Sequence, residues 1–193
     1  VQARRSREIL AFWFGGPAGA EWGQRRKAWF RKDPALDAEI RERFRVDMDR
    51  AQSGALDDWL EDPEDCLALM LLLDQFPRNA YRNSPAAFSG DARALAAARL
   101  AVERGYDARL PPEQRMFVYL PFEHSESLED QRRCVALVAA YRGLPGYEDV
   151  IDYAYRHLRV IERFGRFPHR NGILGRASTA EEREFLREPG SAF

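Results

Sequence analysis

Three histidines are all the imidazole this 193-residue chain carries, and they stand at His124, His157 and His169. Imidazole titrates near neutral pH, so it is the side chain best placed to pass a proton there. His124 lies in "LPFEHSESLEDQ" beside Glu126, and His169 lies in "GRFPHRN". A histidine next to a carboxylate has the makings of a general base, the carboxylate orienting the ring. His124 and His169 are therefore the candidate proton-transfer residues, with Glu126 as the orienting group. The same residues would also serve as an ion cluster closing a helix end, and the sequence leaves both readings open. His157 shares an apolar face with Ala154, Leu158 and Ile161, the usual setting of a satisfied core histidine, and is carried as a candidate ligand contact.

The second chemistry is anion binding. Between Arg166 and Ser178 the chain has Arg166, Arg170, Arg176 and His169 but no acid. Those charges either meet carboxylates from elsewhere in the fold or bind an anion through guanidinium forks. The phrase Phe-Pro followed by Arg-Asn occurs twice, in "LLLDQFPRN" and in "GRFPHRN". Two corners built alike would present Asp74, Arg78, Asn79 and Arg82 from one and Arg166, Arg170, Asn171 and Arg176 from the other. With His157 and the His124–Glu126 segment, they would line a pocket for a small phosphate or carboxylate. The plainer reading is a helix-to-helix corner used twice, with Asn79 and Asn171 bonding backbone in the turns. Arg156, Arg159, Arg163 and Arg166 also recur at helical spacing, but Glu148 and Asp152 share their face, which reads as a salt-bridged surface.

Helices must position these residues. Apolar spacing follows the helical period almost throughout. Starts are signed by Asp33-Pro34, Asp62-Pro63 and Ser84-Pro85, and by a capping box from Ser178 to Glu181. Stops are signed by Gly54, Gly105, Gly143 and Gly165. The spacing predicts helices near 4–14, 22–31, 34–53, 55–61, 63–76, 86–104, 112–124, 127–142, 146–165 and 179–188. Leu67 to Leu73 is apolar on every side, which marks a buried helix. The residue before a proline avoids the α region, so Phe76 and Phe167 are each expected to end a helix. Short connectors favour antiparallel neighbours, and no linker or composition shift divides the chain. The expected architecture is all-α, one domain over 1–193, of about eight to nine antiparallel helices.

Composition narrows the classes. A net charge of −1 supplies no field for nucleic acid, and no nucleic-acid motif occurs. No apolar run reaches membrane-spanning length. Cys66 and Cys134 lie in apolar runs without a Cys-x-x-Cys, as expected of buried thiols in a reducing cytoplasm. No phosphate-binding loop or dinucleotide fingerprint appears, and no cofactor is expected. A metal site from His124, Glu126, His157 and His169 lacks any compact ligand spacing. No nucleic-acid or membrane partner is expected, and the sequence is silent on oligomeric state.

Several phrases belong together: "ILAFWFG", "WFRKD", "LLLDQFPRNAYR", "LPFEHSESLEDQ" and "HLRVIERFGRFPHRNGILGRASTAEEREFL". From about Ile9 to Phe193 the chain resembles an uncharacterised bacterial family, domain of unknown function 924. The resemblance implies an all-helical fold of the tetratricopeptide-like superhelix kind and assigns no activity. Its motif words fall on Asp74, Gln75, Pro77, Arg78, Asn79 and Arg82; on His124, Ser125, Glu126 and Gln131; and on His157, Arg163, Gly165 to Asn171, Gly175 and Arg176. Two functions compete: a pocket for a small anionic ligand, with or without catalysis, or a tetratricopeptide-like groove for a protein or peptide partner. The aromatic cluster Trp13, Phe14, Trp22, Trp29 and Phe30 would favour the second, unless it closes the core.

Overall fold

A computed structural model describes residues 2–16, 19 and 23–191. Among them every regular element is helical, and no helix is long and apolar enough to cross a membrane. The helices are α1 (Gln2–Phe14), α2 (Pro34–Ser53), α3 (Pro63–Met70), α4 (Phe76–Ala80), α5 (Asp91–Glu103), α6 (Pro112–Glu123), α7 (Leu128–Val138), α8 (Glu148–Phe164) and α9 (Ala180–Phe185). Contacts divide the chain into two compact units. The first holds residues 1–82 and 86–121, the second residues 83–85 and 122–193.

Local chemistry explains most starts and stops. The Asp33 carboxylate accepts from the N–H groups of Ala35 and Leu36, and Asp62 does the same for Glu64 and Asp65. Each aspartate satisfies amides that have no partner inside the helix, and the proline at the first helical position has no amide to satisfy. Gly54 and Gly165 close α2 and α8 with φ of 86° and 68°, a left-handed conformation that glycine adopts without strain. The capping box sits one residue later than expected: Thr179 is the cap and Glu182 its reciprocal partner. Two expected helices are only short 3-10 turns, Lys27–Phe30 and Asp57–Glu61. Trp22 lies outside the described residues. Ser84-Pro85 opens a 3-10 turn, Pro85–Phe88, and α5 starts later, at Asp91 after Gly90.

The first unit is built on the all-round apolar run. Cys66 to Pro77 is buried throughout. Around it Phe12, Trp13, Phe44 and Phe76 interlock at centroid distances of 4.9 to 6.0 Å. Trp13, Phe14 and Trp29 are buried, with Phe117 packed edge-on against all three rings.

Phe76 does not end its helix. Its φ and ψ are −63° and −41°, and α4 carries straight on through Pro77. A π-helical turn over Leu71–Gln75 makes this possible, with the Phe76 N–H donating to Leu71 O five residues back. Pro77 has no N–H for Leu73 O, the partner of a regular helix, and the wider turn absorbs that loss. Gly90 then lies against the Leu73 carbonyl so closely that a Cβ on Gly90 would fall 2.2 Å from its oxygen.

The second unit packs α7 against α8, with Val160, Ile161 and Phe167 as a buried cluster and Leu128, Phe164 and Phe185 against it. Here the proline rule holds. Phe167 is extended, φ −89° and ψ 106°, and Pro168–Arg170 turn as a 3-10 helix. The doubled phrase therefore encodes two different backbones, a helix interior and a true corner.

Candidate functional site

Within the first unit, the first copy of the phrase binds acids. Arg78 grips Asp91 through two hydrogen bonds of 2.8 and 3.0 Å, lies 2.9 Å from the buried Asp74, and donates to Asp74 O. Gln75 donates to the Asp74 carboxylate at 2.5 Å. Asn79 and Arg82 converge on Asp37, at 2.8 Å and at 2.5 and 3.0 Å. Asp37 and Asp91, which complete these networks, carry no sequence signal that separates them from the chain's other acids.

The second unit assembles the other candidates. Glu126 anchors the corner: its carboxylate accepts from the Phe167 N–H at 2.8 Å and from both Arg176 terminal nitrogens at 2.7 and 2.9 Å. Arg176 also reaches Phe167 O and the Asn171 side-chain oxygen. Arg166 forks onto Glu182 at 2.6 and 2.8 Å, and Asn171 donates to Ser178 Oγ and Glu182. The Arg166 guanidinium holds the Glu182 carboxyl down at about 2. Burial resists ionisation of Glu126, but the Arg176 and Phe167 hydrogen bonds outweigh it and lower its pKa. Thus two arginines of the acid-free stretch meet acids distant in sequence, Glu126 before α7 and Glu182 in α9. These acids engage Arg166 and Arg176 directly. On α8, Arg156 pairs with Asp152 and Arg163 with Glu181, as a salt-bridged surface requires.

His157, His169 and Arg170 gather around Phe167. The Arg170 guanidinium carbon lies 4.5 Å from the centre of that ring, and Arg170 is only 6 % exposed. His157 meets the ring edge-on at 5.5 Å, and His169 lies 5.7 Å from it. The His124 ring is 6.4 Å from that of His157. His157 is 4 % exposed, and its Nδ1 lies 2.8 Å from Tyr153 O. A carbonyl only accepts, so Nδ1 carries the proton in that bond and Nε2 keeps its lone pair. Burial pushes His157 down to about 3, and His124, Arg170 and His169 push in the same direction. The imidazole is therefore neutral at physiological pH. The carboxylate facing it is that of Glu123, with Oε1 3.4 Å from Nδ1. Glu123 is buried and also lies 4.0 Å from Cys134 Sγ. The signal the sequence offers for Glu123 is its place directly before His124 in "LPFEHSESLEDQ".

Cys66 and Cys134 are buried free thiols, and burial raises both, Cys66 to about 12. Among the described residues no group of His, Cys, Asp and Glu could hold a metal ion. Of the aromatics considered for a docking role, Trp13, Phe14 and Trp29 are core, while Phe30 is 56 % exposed.

Residues 9–190 match the family described as "Bacterial protein of unknown function (DUF924)". A solved structure, that of the protein of unknown function ATU0120 from Agrobacterium tumefaciens, is similar to this chain. It shares 41% identity over 96% of this chain and 98% of its own, with a TM-score of 0.85. No curated protein matches the chain.

Proposed function

The chain belongs to this bacterial family of unknown function, and we propose that its second unit binds a small anion, a phosphate or a carboxylate, at the Phe167 corner. One observation carries the reading: His157, His169 and the buried Arg170 pack against the Phe167 ring, with His124 6.4 Å from His157. Arg170 presents the planar fork that suits an oxyanion. His124 and His169 supply further N–H donors once protonated, and a bound anion stabilises that charged form. His157 offers an unprotonated Nε2 behind them, so a bound acid could lose or gain a proton within the site. Catalysis, if the anion is a substrate, is proton transfer through His124 or His169. Arg166, Asn171, Arg176 and Glu126 hold the corner in place, and Glu126 acts through it as a positioning residue. In this reading Asp74, Arg78, Asn79 and Arg82 brace the first unit.

The test is a histidine-ring NMR titration, made simple by having only three signals. Phosphate, acetate and citrate are added against chloride at equal ionic strength. The expected result is that the His124 and His169 signals move with raised titration midpoints, and that Arg170→Met abolishes the response. If all three rings ignore every one of these anions at millimolar concentration, the proposal is wrong.

A further inference from the structure

Asn171 is followed by Gly172, whereas the chain's other asparagines, Asn79 and Asn83, are followed by alanine and serine. Asn-Gly is the pair most prone to lose its side-chain amide, because glycine has no Cβ to hinder attack by its own nitrogen. The Gly172 nitrogen attacks Asn171 Cγ and closes a five-membered succinimide. The Cγ–Nδ2 bond breaks, and the Gly172 amide proton leaves with that nitrogen as ammonia. Water then opens the ring at either carbonyl, leaving aspartate or isoaspartate.

The fold treats the two reacting groups in opposite ways. Gly172 is exposed, has open space around it, and donates its N–H to no described residue, so the attacking nitrogen is unencumbered. Asn171 is 0 % exposed, and its side-chain amide is held at both ends. Nδ2 donates to Ser178 Oγ at 3.1 Å and to Glu182 at 3.3 Å, and Oδ1 accepts from Arg176 Nε at 3.0 Å. Its backbone is pinned as well: the N–H donates to Pro168 O, and the carbonyl accepts from the Arg176 N–H. The resulting φ of −57° and ψ of −50° are helical, and ring closure needs the chain to leave that region. Attack therefore has to wait until the corner opens.

We infer that Asn171 is a latent deamidation site, kept unreactive by the hydrogen bonds of the Phe167 corner and converted when that corner opens. The change is one-way. Where Nδ2 donated to Glu182, the product has a carboxylate oxygen facing the Glu182 carboxylate, and two buried like charges repel. Glu182 is the residue through which α9 holds both Arg166 and Asn171. A corner that has reacted therefore recloses less tightly, and each opening that ends in reaction loosens it for good. This chemistry needs no ligand at the corner.

Peptide mass spectrometry on the full chain, aged at mildly alkaline pH with and without guanidinium chloride, tests this. In denaturant Asn171 should convert ahead of Asn79 and Asn83. In the folded chain it should convert at least about tenfold more slowly, as a segment open less than about a tenth of the time would. Arg176→Met frees Oδ1 and should speed conversion in the folded chain severalfold. Gly172→Ala, with space for its Cβ, should fold like the parent and slow conversion in both states, a readout that stands even if Arg176→Met does not fold. Asn171→Asp should quicken hydrogen exchange over residues 166–178. Equal rates in folded and unfolded chains, a folded Arg176→Met that converts no faster, Gly172→Ala that converts like the parent, or parental exchange in Asn171→Asp would each overturn the inference.

Discussion

Gly90 shows how much one missing methyl group decides. Its Cα packs on the Leu73 carbonyl, and an added Cβ would meet backbone atoms, with Leu73 C at 2.9 Å and Cα at 3.0 Å. Backbone cannot swing aside as a long side chain can. Gly90→Ala should therefore destabilise the first unit by about 1–3 kcal/mol, the usual cost of overpacking, toward the upper end of that range. Urea unfolding midpoints check it; an alanine variant as stable as the parent would mean that the approach is not close. Nothing near position 90 in the sequence announces this demand, because the partner carbonyl belongs to a distant helix. Pro77 is the other half of the same feature. The rule that a residue before proline leaves the α region holds at Phe167 and fails at Phe76. At Phe167 the preceding Gly165 has already ended the helix. At Phe76 burial on all sides keeps the chain helical, and a π turn accommodates the proline. The histidines follow the same logic: their types marked them as chemical candidates, but only the fold reveals that His157 is the neutral, buried member.

Among elements, the connector from α8 to α9 hangs on Glu126. A carboxylate that accepts one backbone amide and a two-pronged arginine fixes both the start of the corner, at Phe167, and its end, at Arg176. Glu126→Ala removes both anchors. With the Glu126 side chain 29% exposed, solvent screening discounts the pair, and a loss of about 1–3 kcal/mol is expected. Glu126→Gln should lose less, since an amide oxygen still accepts from the Phe167 N–H. A double-mutant cycle with Arg176→Met measures the coupling, and additivity of the two changes would refute the pairing. Hydrogen exchange should quicken across residues 166–178 in Glu126→Ala. The cap signals Asp33-Pro34 and Asp62-Pro63 could be read correctly because donor and acceptor lie within three residues. The Glu126–Arg176 pair joins residues fifty positions apart, and neither carries a mark in the sequence that names the other. The acid-free stretch did pose the right question, whether its arginines meet distant acids or an anion. For Arg166 and Arg176 the acids supply the answer.

Across the whole molecule, response to acid should be uneven, because the strongly depressed groups described above lie in the second unit. His157 has an ordinary value of 6.5 and is held near 3 by burial. Above about 6.5 the folded and unfolded chains carry the same protons there, and its contribution is complete. As the pH falls, the unfolded chain takes up a proton that the folded chain refuses, so stability declines by about 1.4 kcal/mol per pH unit until the folded value is reached. Glu182 works in the same direction but lower: its stabilisation by Arg166 is present above its ordinary 4.5 and is lost as the pH drops toward 2. Glu126, also lowered, adds to that second phase. Two stages of acid weakening are therefore expected, the first including His157 and the second the carboxylates Glu182 and Glu126. Amide exchange measured from pH 7 down to pH 4 should rise across residues 122–191 before it rises in the first unit. His157→Gln, which has nothing to protonate, should flatten the first stage and spare the second, while Arg166→Met should reduce the second and leave the first. An unchanged slope between pH 6 and pH 5 in His157→Gln would show that this imidazole is not the group that excludes the proton.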